Sequence, residues 1–415
     1  MTAFFETELG GAAPLTKKDQ LVFIDYIESF RQYQDTIPEV DSIMMDGTMS
    51  YDTTGYRYED SGRSMSRGPG AYFFWDTYMR DIPFTQTQSF YSIGKVFDIF
   101  LNSNKLTFPT VYTDAEFWKI FDFKFLAGTS FKTQQVQNQE QVIVISRKAC
   151  GEYFGNEDSD FESVIGKEII LDRKHFKVIG VIDLVNNSMS LLKASAYIPL
   201  TNMDSKMLAN KERLNGQFKG VFLAEHPSKV DNVKEELVKK SEVIPMPNPD
   251  QFNQLEYFPG SFLEMYVSNT TRMFNDPEKS YRYGIGIFTF LLILFFMLPT
   301  LNLINLNVSR ILERSSEIGV RKAFGANSGN ILFQFVFENI VLTLIGGIIG
   351  FVLALLLINV INGSDFLNGT ILSFNYKVFI YSLLICLFFG ILSGFIPAYR
   401  MSRIHIINAL KNNQL

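Results

Sequence analysis

Apolar and polar residues are patterned on two different scales along this chain. As far as residue 283 the apolar positions fall in short runs broken by charges; beyond it they form three long runs, at 284–308, 331–361 and 378–398. Each is about as long as the roughly 20 residues needed to cross about 30 Å of hydrocarbon, or longer. Three membrane-spanning helices are therefore predicted. A buried core helix would account for one such run, but three so poor in charge and so close together point to a bilayer. Between the first two lies a polar connection, 309–330. Its stretch Arg310-Ile-Leu-Glu-Arg-Ser-Ser-Glu-Ile-Gly-Val-Arg-Lys-Ala-Phe-Gly325 is charged and helix-prone.

The net charge changes sign at the same boundary. Residues 1–283 hold 30 Lys and Arg against 39 Asp and Glu, whereas 284–415 hold 8 against 4. Arg310, Arg314, Arg321 and Lys322 lie in the 309–330 connection, and Arg400, Arg403 and Lys411 follow the third run; the 362–377 connection has only Lys377. Basic loops stay on the cytoplasmic side. The 309–330 connection and the C-terminus are thus expected in the cytoplasm, and 362–377 with the whole of 1–283 outside. Residues 1–14 carry neither the basic nor the apolar segment of an export signal. A further first span, lacking in this sequence, is expected to take the large domain across.

Within the spans, Pro299 removes an i→i−4 hydrogen bond and predicts a kink. Gly346-x-x-x-Gly350 and Gly390-x-x-x-Gly394 each set two small residues one turn apart, which lets helices approach closely. Glu338, about one turn into the second run, reads as an interfacial carboxylate.

Residues 1–275 read as an α+β domain of two small lobes, the second centred on 205–260, and 276–415 as an all-α transmembrane domain of three helices. The spacing of apolar residues predicts a helix over 16–36. The polar, Gly-rich stretch 46–71 is a surface loop or a strand pair. Thr113-Asp114 should cap a short helix through Phe121. Residues 141–145 form a strand, after which Ser146 caps a helix over 147–154 that Gly155 ends. Residues 165–171 and 175–182 form a hairpin through Asp172-Arg173-Lys174. A strand over 221–224 and a charged helix capped by Ser228 and reaching Lys240 complete the pattern.

The chemistry-bearing residues do not converge. Cys150 and Cys386 are far apart in unlike surroundings, and His175, His226 and His405 have no metal-ligand spacing. No Gly-x-Ser-x-Gly elbow exists. Gly166-Lys167 and Gly94-Lys95 lack the flanking glycine of a phosphate loop. His175 reads as an ordinary sheet residue, and Tyr72-Phe-Phe-Trp75 as core. The acidic surface argues against nucleic acid. No enzyme, cofactor or metal is predicted.

Several stretches resemble the MacB/FtsX-type ABC transporter permeases. Arg314-x-x-Glu317-Ile-Gly-Val-Arg-Lys-Ala-Phe-Gly325, Gln334-Phe-Val-Phe-Glu338, Leu344-Ile-Gly-Gly-Ile-Ile-Gly350 and Ile396-Pro-Ala-Tyr-Arg-Met-Ser-Arg403 are similar to the permease part. The 112–128 stretch, Tyr153-Phe-Gly155 and 165–181 are similar to the MacB-like periplasmic core. Ile406 stands where the family usually has proline, and the ATPase domain fused to MacB is not in this sequence. The resemblance implies a permease subunit in the bacterial inner membrane, embedded in lipid. It implies partners too: a separate ABC ATPase, a second permease subunit and a periplasmic adaptor. In such proteins ATP-driven closure tilts the membrane helices and moves the periplasmic domains. Arg314, Glu317, Gly319, Arg321, Lys322 and Gly325 would then dock the ATPase, with Gly319 and Gly325 allowing close approach and ending the helix. Family members also include regulators that control an envelope enzyme or sense a peptide, and that alternative stays open.

Overall fold

The run Leu21-Val-Phe-Ile24 is buried at every position, a pattern that a one-faced surface helix cannot produce but a central strand can. The computed structural model describes residues 13–45, 48–101, 104–155, 160–183, 191–271, 276–325, 327–364, 374 and 376–402. It divides into two compact units, one formed by Gly11–Tyr281 and the other containing Arg282–Leu415.

The first unit begins with β1 (Leu21–Ile24), followed by the long strands β2 (Ile27–Met45) and β3 (Thr48–Gly68). Helix α1 (Tyr72–Tyr78) leads to β4 (Thr85–Ser92), β5 (Lys95–Leu101) and β6 (Asn104–Thr113). Then come α2 (Phe117–Ile120), β7 (Phe125–Gly128), α3 (Thr133–Gln137), β8 (Val142–Ser146) and α4 (Arg147–Phe154). The hairpin β9 (Glu168–Leu171) and β10 (Lys174–Ile182) precedes β11 (Ala196–Pro199), α5 (Ser205–Ala209) and β12 (Phe218–Ala224). Helix α6 (Val230–Val243), β13 (Gln254–Tyr257), β14 (Gly260–Ser261) and α7 (Phe262–Thr271) close the unit.

Eleven strands make one sheet in the order β14-β1-β12-β4-β6-β11-β8-β10-β7, with β5 beside β6 and β9 beside β10; β13, β2 and β3 form a second. β4 and β6 are joined through a single residue pair, Tyr91 with Thr113. The large sheet therefore has a narrow waist and two wings, and these wings are the two lobes read from the sequence. The later lobe is wider than 205–260, because β1 and β4 pair with β12 and bring N-terminal chain into it.

Local signals explain most of the first wing. Ser146 accepts a hydrogen bond from Ala149 N at 3.2 Å and Gly155 ends α4 at φ +77°, as the sequence predicts. That helix carries the chain between β8 and β10, which pair in parallel and so require a crossover. Asp172 and Arg173 both have positive φ, the backbone that a tight antiparallel hairpin with right-handed twist demands. Asp114 Oδ1 accepts from Phe117 N at 3.1 Å and from Ser89 Oγ at 2.6 Å, so it holds the first N–H of α2 from three residues before the helix.

Three expectations are corrected. The helix over 16–36 is replaced by a short 3-10 turn, β1 and β2; β1 has β12 on one edge and β14 on the other, and this pairing overrides the helical spacing. The stretch 46–71 supplies one long strand, not a loop or both members of a strand pair: β3 over 48–68 pairs with β2, which precedes it; positions 46 and 47 lie outside the described residues. Ser228 does not cap α6. It lies inside the 3-10 turn Pro227–Lys229, where its own N–H is taken by His226 Nδ1.

Trp75 shows why one glycine of the second wing is fixed. Its ring stacks on Phe90 at 5.5 Å and its Nε1 donates to Phe218 O at 3.0 Å. A Cβ on Gly220 would stand 2.6 Å from Trp75 Cζ3, so only glycine allows the ring to lie on β12. His175 is an exposed sheet residue beside Glu168.

The N-terminus of α7 carries a capping box, Ser261-x-x-Glu264: Ser261 N donates to Glu264 Oε2 at 2.6 Å and Glu264 N to Ser261 Oγ at 3.5 Å. Lys234 of α6 pairs with the same carboxylate at 2.6 Å. Burial tends to raise the Glu264 carboxyl, but the Lys234 ammonium and the Ser261 donors outweigh it and hold the group below its ordinary range. Its contribution to stability is full above the unfolded carboxylate value and is lost as pH falls through the depressed folded one. Glu264→Gln should therefore destabilise this unit by about 1–2 kcal/mol at pH 7. Thermal unfolding of wild type and variant in lipid nanodiscs should converge as the buffer is taken below the carboxylate range.

Candidate functional site

The second unit holds α8 (Pro277–Glu313), α9 (Ser315–Ala323), α10 (Ser328–Asn362) and α11 (Tyr376–Ser402). Pro277–Arg310 and Gly329–Asn362 are long and apolar enough to span a bilayer, and a shorter apolar stretch, Phe379–Phe395, lies in α11. Their large side chains stay exposed, Phe295 at 70% and Val360 at 69%, as lipid-facing residues would be in the absence of water-driven burial. Helix α8 continues through Pro299.

The charged segment is built as a short helix folded back on the start of the next one. The chain breaks step at Arg314, yet hydrogen bonds from Arg314 N to Arg310 O (3.3 Å) and from Ile318 N to Arg314 O (3.0 Å) keep α9 tied to α8. Gly325 ends the segment at φ +91°, a conformation that suits glycine at a helix end. Asn327 then caps α10, its Oδ1 accepting from Gly329 N at 3.2 Å. The inner face of α9 is apolar. Ile318 is 7% exposed and packs on Ile331, Leu332 and Phe335 of α10, and Gly319 is buried beside it.

The predicted polar residues frame this contact. Arg321 Nη1 donates to Gln334 Oε1 at 2.9 Å, and its guanidinium also pairs with Glu317 one turn back. Arg314 approaches Glu338 at 3.5 Å, so Glu338 is an exposed ion-pair partner at the mouth of α10. The Lys322 side chain lies outside the described residues. Surface pairs of this kind contribute roughly 0.2–1 kcal/mol each, whereas burying an Ile side chain contributes about 1.5–3 kcal/mol. The seat of α9 is thus set mainly by Ile318, with Arg314 and Arg321 fixing its register. Glu317 and Arg321 remain about half exposed, and Phe324 is 89% exposed. Ile318, Gln334 and Phe324 stand in the motifs quoted above but had no role assigned from sequence. The first had a signal, an isoleucine at i and i+13 flanking a glycine turn; the outward position of Phe324 had none.

The small residues divide unequally. A Cβ at Gly390 would stand 2.5 Å from Thr343 Oγ1, and one at Gly394 would collide with Asn339 Nδ2, so α11 lies directly on α10 at these points. Gly346 and Gly350 have nothing within 4 Å of a Cβ, and Gly347, one residue on, faces Leu383 instead. The expected contact through Gly346 and Gly350 is therefore not made among the described residues. Helix α8 meets α11 through Phe296 stacked on Phe389 at 5.5 Å and Asn307 Nδ2 donating to Ser393 O at 3.3 Å. Cys150 is buried and Cys386 exposed, both as free thiols. Among the described residues no three His, Cys, Asp or Glu side chains could hold a metal ion.

An α/β domain followed by long apolar helices around a short charged helix is the layout of a membrane permease subunit. Residues 42–240 match the MacB-like periplasmic core domain and residues 288–406 the FtsX-like permease C-terminal domain. The chain belongs to the MacB/FtsX-type permeases, membrane proteins with a periplasmic domain. Among curated relatives, the macrolide export ATP-binding/permease protein MacB of Salmonella typhi is 23% identical over 318 residues, covering 75% of this chain and 44% of that protein. The MacB of Acinetobacter baylyi is 25% identical over 303 residues, covering 70% and 41%. The chain thus spans under half the length of the curated relatives it matches. A domain of a putative permease protein from Porphyromonas gingivalis superposes with a TM-score of 0.40 at 14% identity, covering 60% of this chain and 92% of that one. The periplasmic region of MacB from Actinobacillus actinomycetemcomitans gives 0.34 at 15%, covering 48% and 84%.

Gly394→Leu should separate α11 from α10 and lower the unfolding temperature of the helical unit in detergent micelles, by about 1–3 kcal/mol of overpacking strain. Gly346→Leu and Gly350→Leu in the monomeric chain should leave that temperature within error.

Proposed function

We propose that this chain is the transmembrane subunit of an ABC transporter whose ATPase is a separate chain. It would act as one of two permease subunits in the bacterial inner membrane, with the Gly11–Tyr281 unit outside and α9 at the cytoplasmic face. The basic residues Arg310, Arg314, Arg321 and Lys322 beside α9 support that side, by the positive-inside rule. ATP-driven closure of the ATPase pushes on α9, and the push is passed into α8 and α10 for export or envelope substrate handling.

The observation that carries this reading is the construction of α9. Its inner face is fastened to α10 through Ile318 and Arg321 and its backbone is continuous with α8, while Glu317, Arg321 and Phe324 keep outward exposure for a partner. A segment that merely held the chain at the lipid headgroups would need its charges but not this apolar seat. Charged contacts at a partner's surface set orientation, and an exposed aromatic supplies the anchor.

Membranes expressing this chain with its ATPase subunit provide the test. Glu317→Ala/Arg321→Ala should reduce ATPase co-purification about tenfold or more while leaving the yield of the permease unchanged. Association equal to wild type in the double variant would remove α9 from the docking role.

A further inference from the structure

A cleft of about 320 Å³ opens on the sheet of the first unit, beneath α7. Its floor is a polar row laid across three strands. Lys219 of β12 pairs in register with Tyr91 of β4, and Tyr91 with Thr113 of β6. Asp25 directly follows β1, whose last pair is Ile24 with Gly220, so it falls opposite Lys219. Cross-strand partners share a face, so Asp25, Lys219 and Tyr91 point to the same side and line the cleft, whereas Thr113, on that face, does not reach its lining. The walls are mixed: Phe23, Val111, Leu191, Phe262 and Met265 form an apolar side, and Asn269 and Thr270 of α7 with Ser92 add polar groups.

Such a row is costly in an apolar setting unless every member has a partner. Both Asp25 oxygens have a partner: Oδ1 pairs with Lys219 at 3.1 Å and Oδ2 accepts from Asn269 Nδ2 at 2.7 Å. Its side chain is only 11% exposed. The remaining capacity belongs to donors. The Lys219 ammonium has three protons, and among the described residues Asp25 is its one ion-pair partner. Tyr91 is 3% exposed, and its phenol has no hydrogen-bond partner among the described residues. Burial, and then the Asp25 charge, push that phenol well above its ordinary range, so it keeps its proton and stays a donor at neutral pH. Ser92 Oγ already accepts from Tyr112 N at 2.9 Å, leaving its own proton to give.

Buried donors facing a cleft with an apolar side call for an acceptor on an apolar body. We propose that this cleft binds a small molecule combining an apolar body with a carboxylate, the carboxylate held by Lys219 and Tyr91 and the body by Phe23, Phe262 and Met265. A cation would meet the Lys219 ammonium, which already neutralises the Asp25 charge at 3.1 Å. An alcohol of the same skeleton satisfies one donor and forgoes the charge-assisted bond. The volume lies at the lower end of that of small-molecule sites, which sets the ligand as an aryl or short alkyl acid. Binding at this cleft does not depend on the ATPase-docking role of α9.

The test is calorimetric titration of the full chain in lipid nanodiscs with 4-phenylbutyrate, 4-phenylbutanol and 4-phenylbutylamine, using empty discs as blank. The acid should bind about tenfold or more tightly than the alcohol or the amine. Asp25→Asn/Lys219→Met, which removes both charges together, should abolish that preference, and Met265→Trp, which fills the cleft, should abolish binding. Tyr91→Phe deletes only the phenolic oxygen and should weaken the acid several-fold at an unchanged unfolding temperature; it decides the matter should the double variant fail to fold. Equal affinity for acid and alcohol, an unchanged preference in Tyr91→Phe, or heat no greater than that of empty discs would overturn the proposal.

Discussion

Ile318 packed against Ile331, Leu332 and Phe335 is the contact that holds the charged helix in place. A helix of nine residues is not stable alone in water, and its charges contribute little to holding it. What turns Ser315–Ala323 into a fixed element is the removal of one isoleucine face from solvent, between the end of one long helix and the beginning of the next. Gly325 and Asn327 make the return tight enough for that contact to form. Without the seat, the same charges would be a solvated loop, and a force applied to them would be absorbed by loop motion.

The same economy of contacts runs through the apolar helices. Lipid is as apolar as leucine, so helices in it meet where small residues allow backbone approach and where polar groups find partners. Gly390 and Gly394 against Thr343 and Asn339 supply the first, and Asn307 with Ser393 the second. The glycines of Gly346-x-x-x-Gly350 have open space in front of them. On the proposed reading, where two permease subunits act together, that open small-residue face is available to a second helix.

Legibility in the sequence followed the range of the interactions. Caps and turns set by neighbouring residues were readable: Ser146 and Gly155 around α4, Asp172-Arg173 in the β9–β10 hairpin, Gly325 after α9. The two longest apolar runs were readable because a bilayer imposes a length that local sequence alone can meet. Strand β1 was misread because its neighbours lie about two hundred residues away in β12 and β14, and pairing on both edges overcame a helical spacing. The polar row in the cleft could not be foreseen at all. Asp25, Tyr91 and Lys219 share no local motif, and they meet only through the register of three strands. In the charged segment the polar residues stood out by type, whereas the seat under them needed the fold.

Distance measurement tests most directly the proposal that force applied to α9 reaches the first unit through a rigid seat. Spin labels at Val243→Cys, a position 72% exposed, can be placed in a reconstituted complex of this chain with its ATPase, after Cys150 and Cys386 are replaced. The inter-subunit label distance is then compared between the nucleotide-free and vanadate-trapped states. The account predicts a shift on trapping in the wild-type background and its loss in Ile318→Ser, with ATPase association retained. A shift of the same size in Ile318→Ser would contradict it.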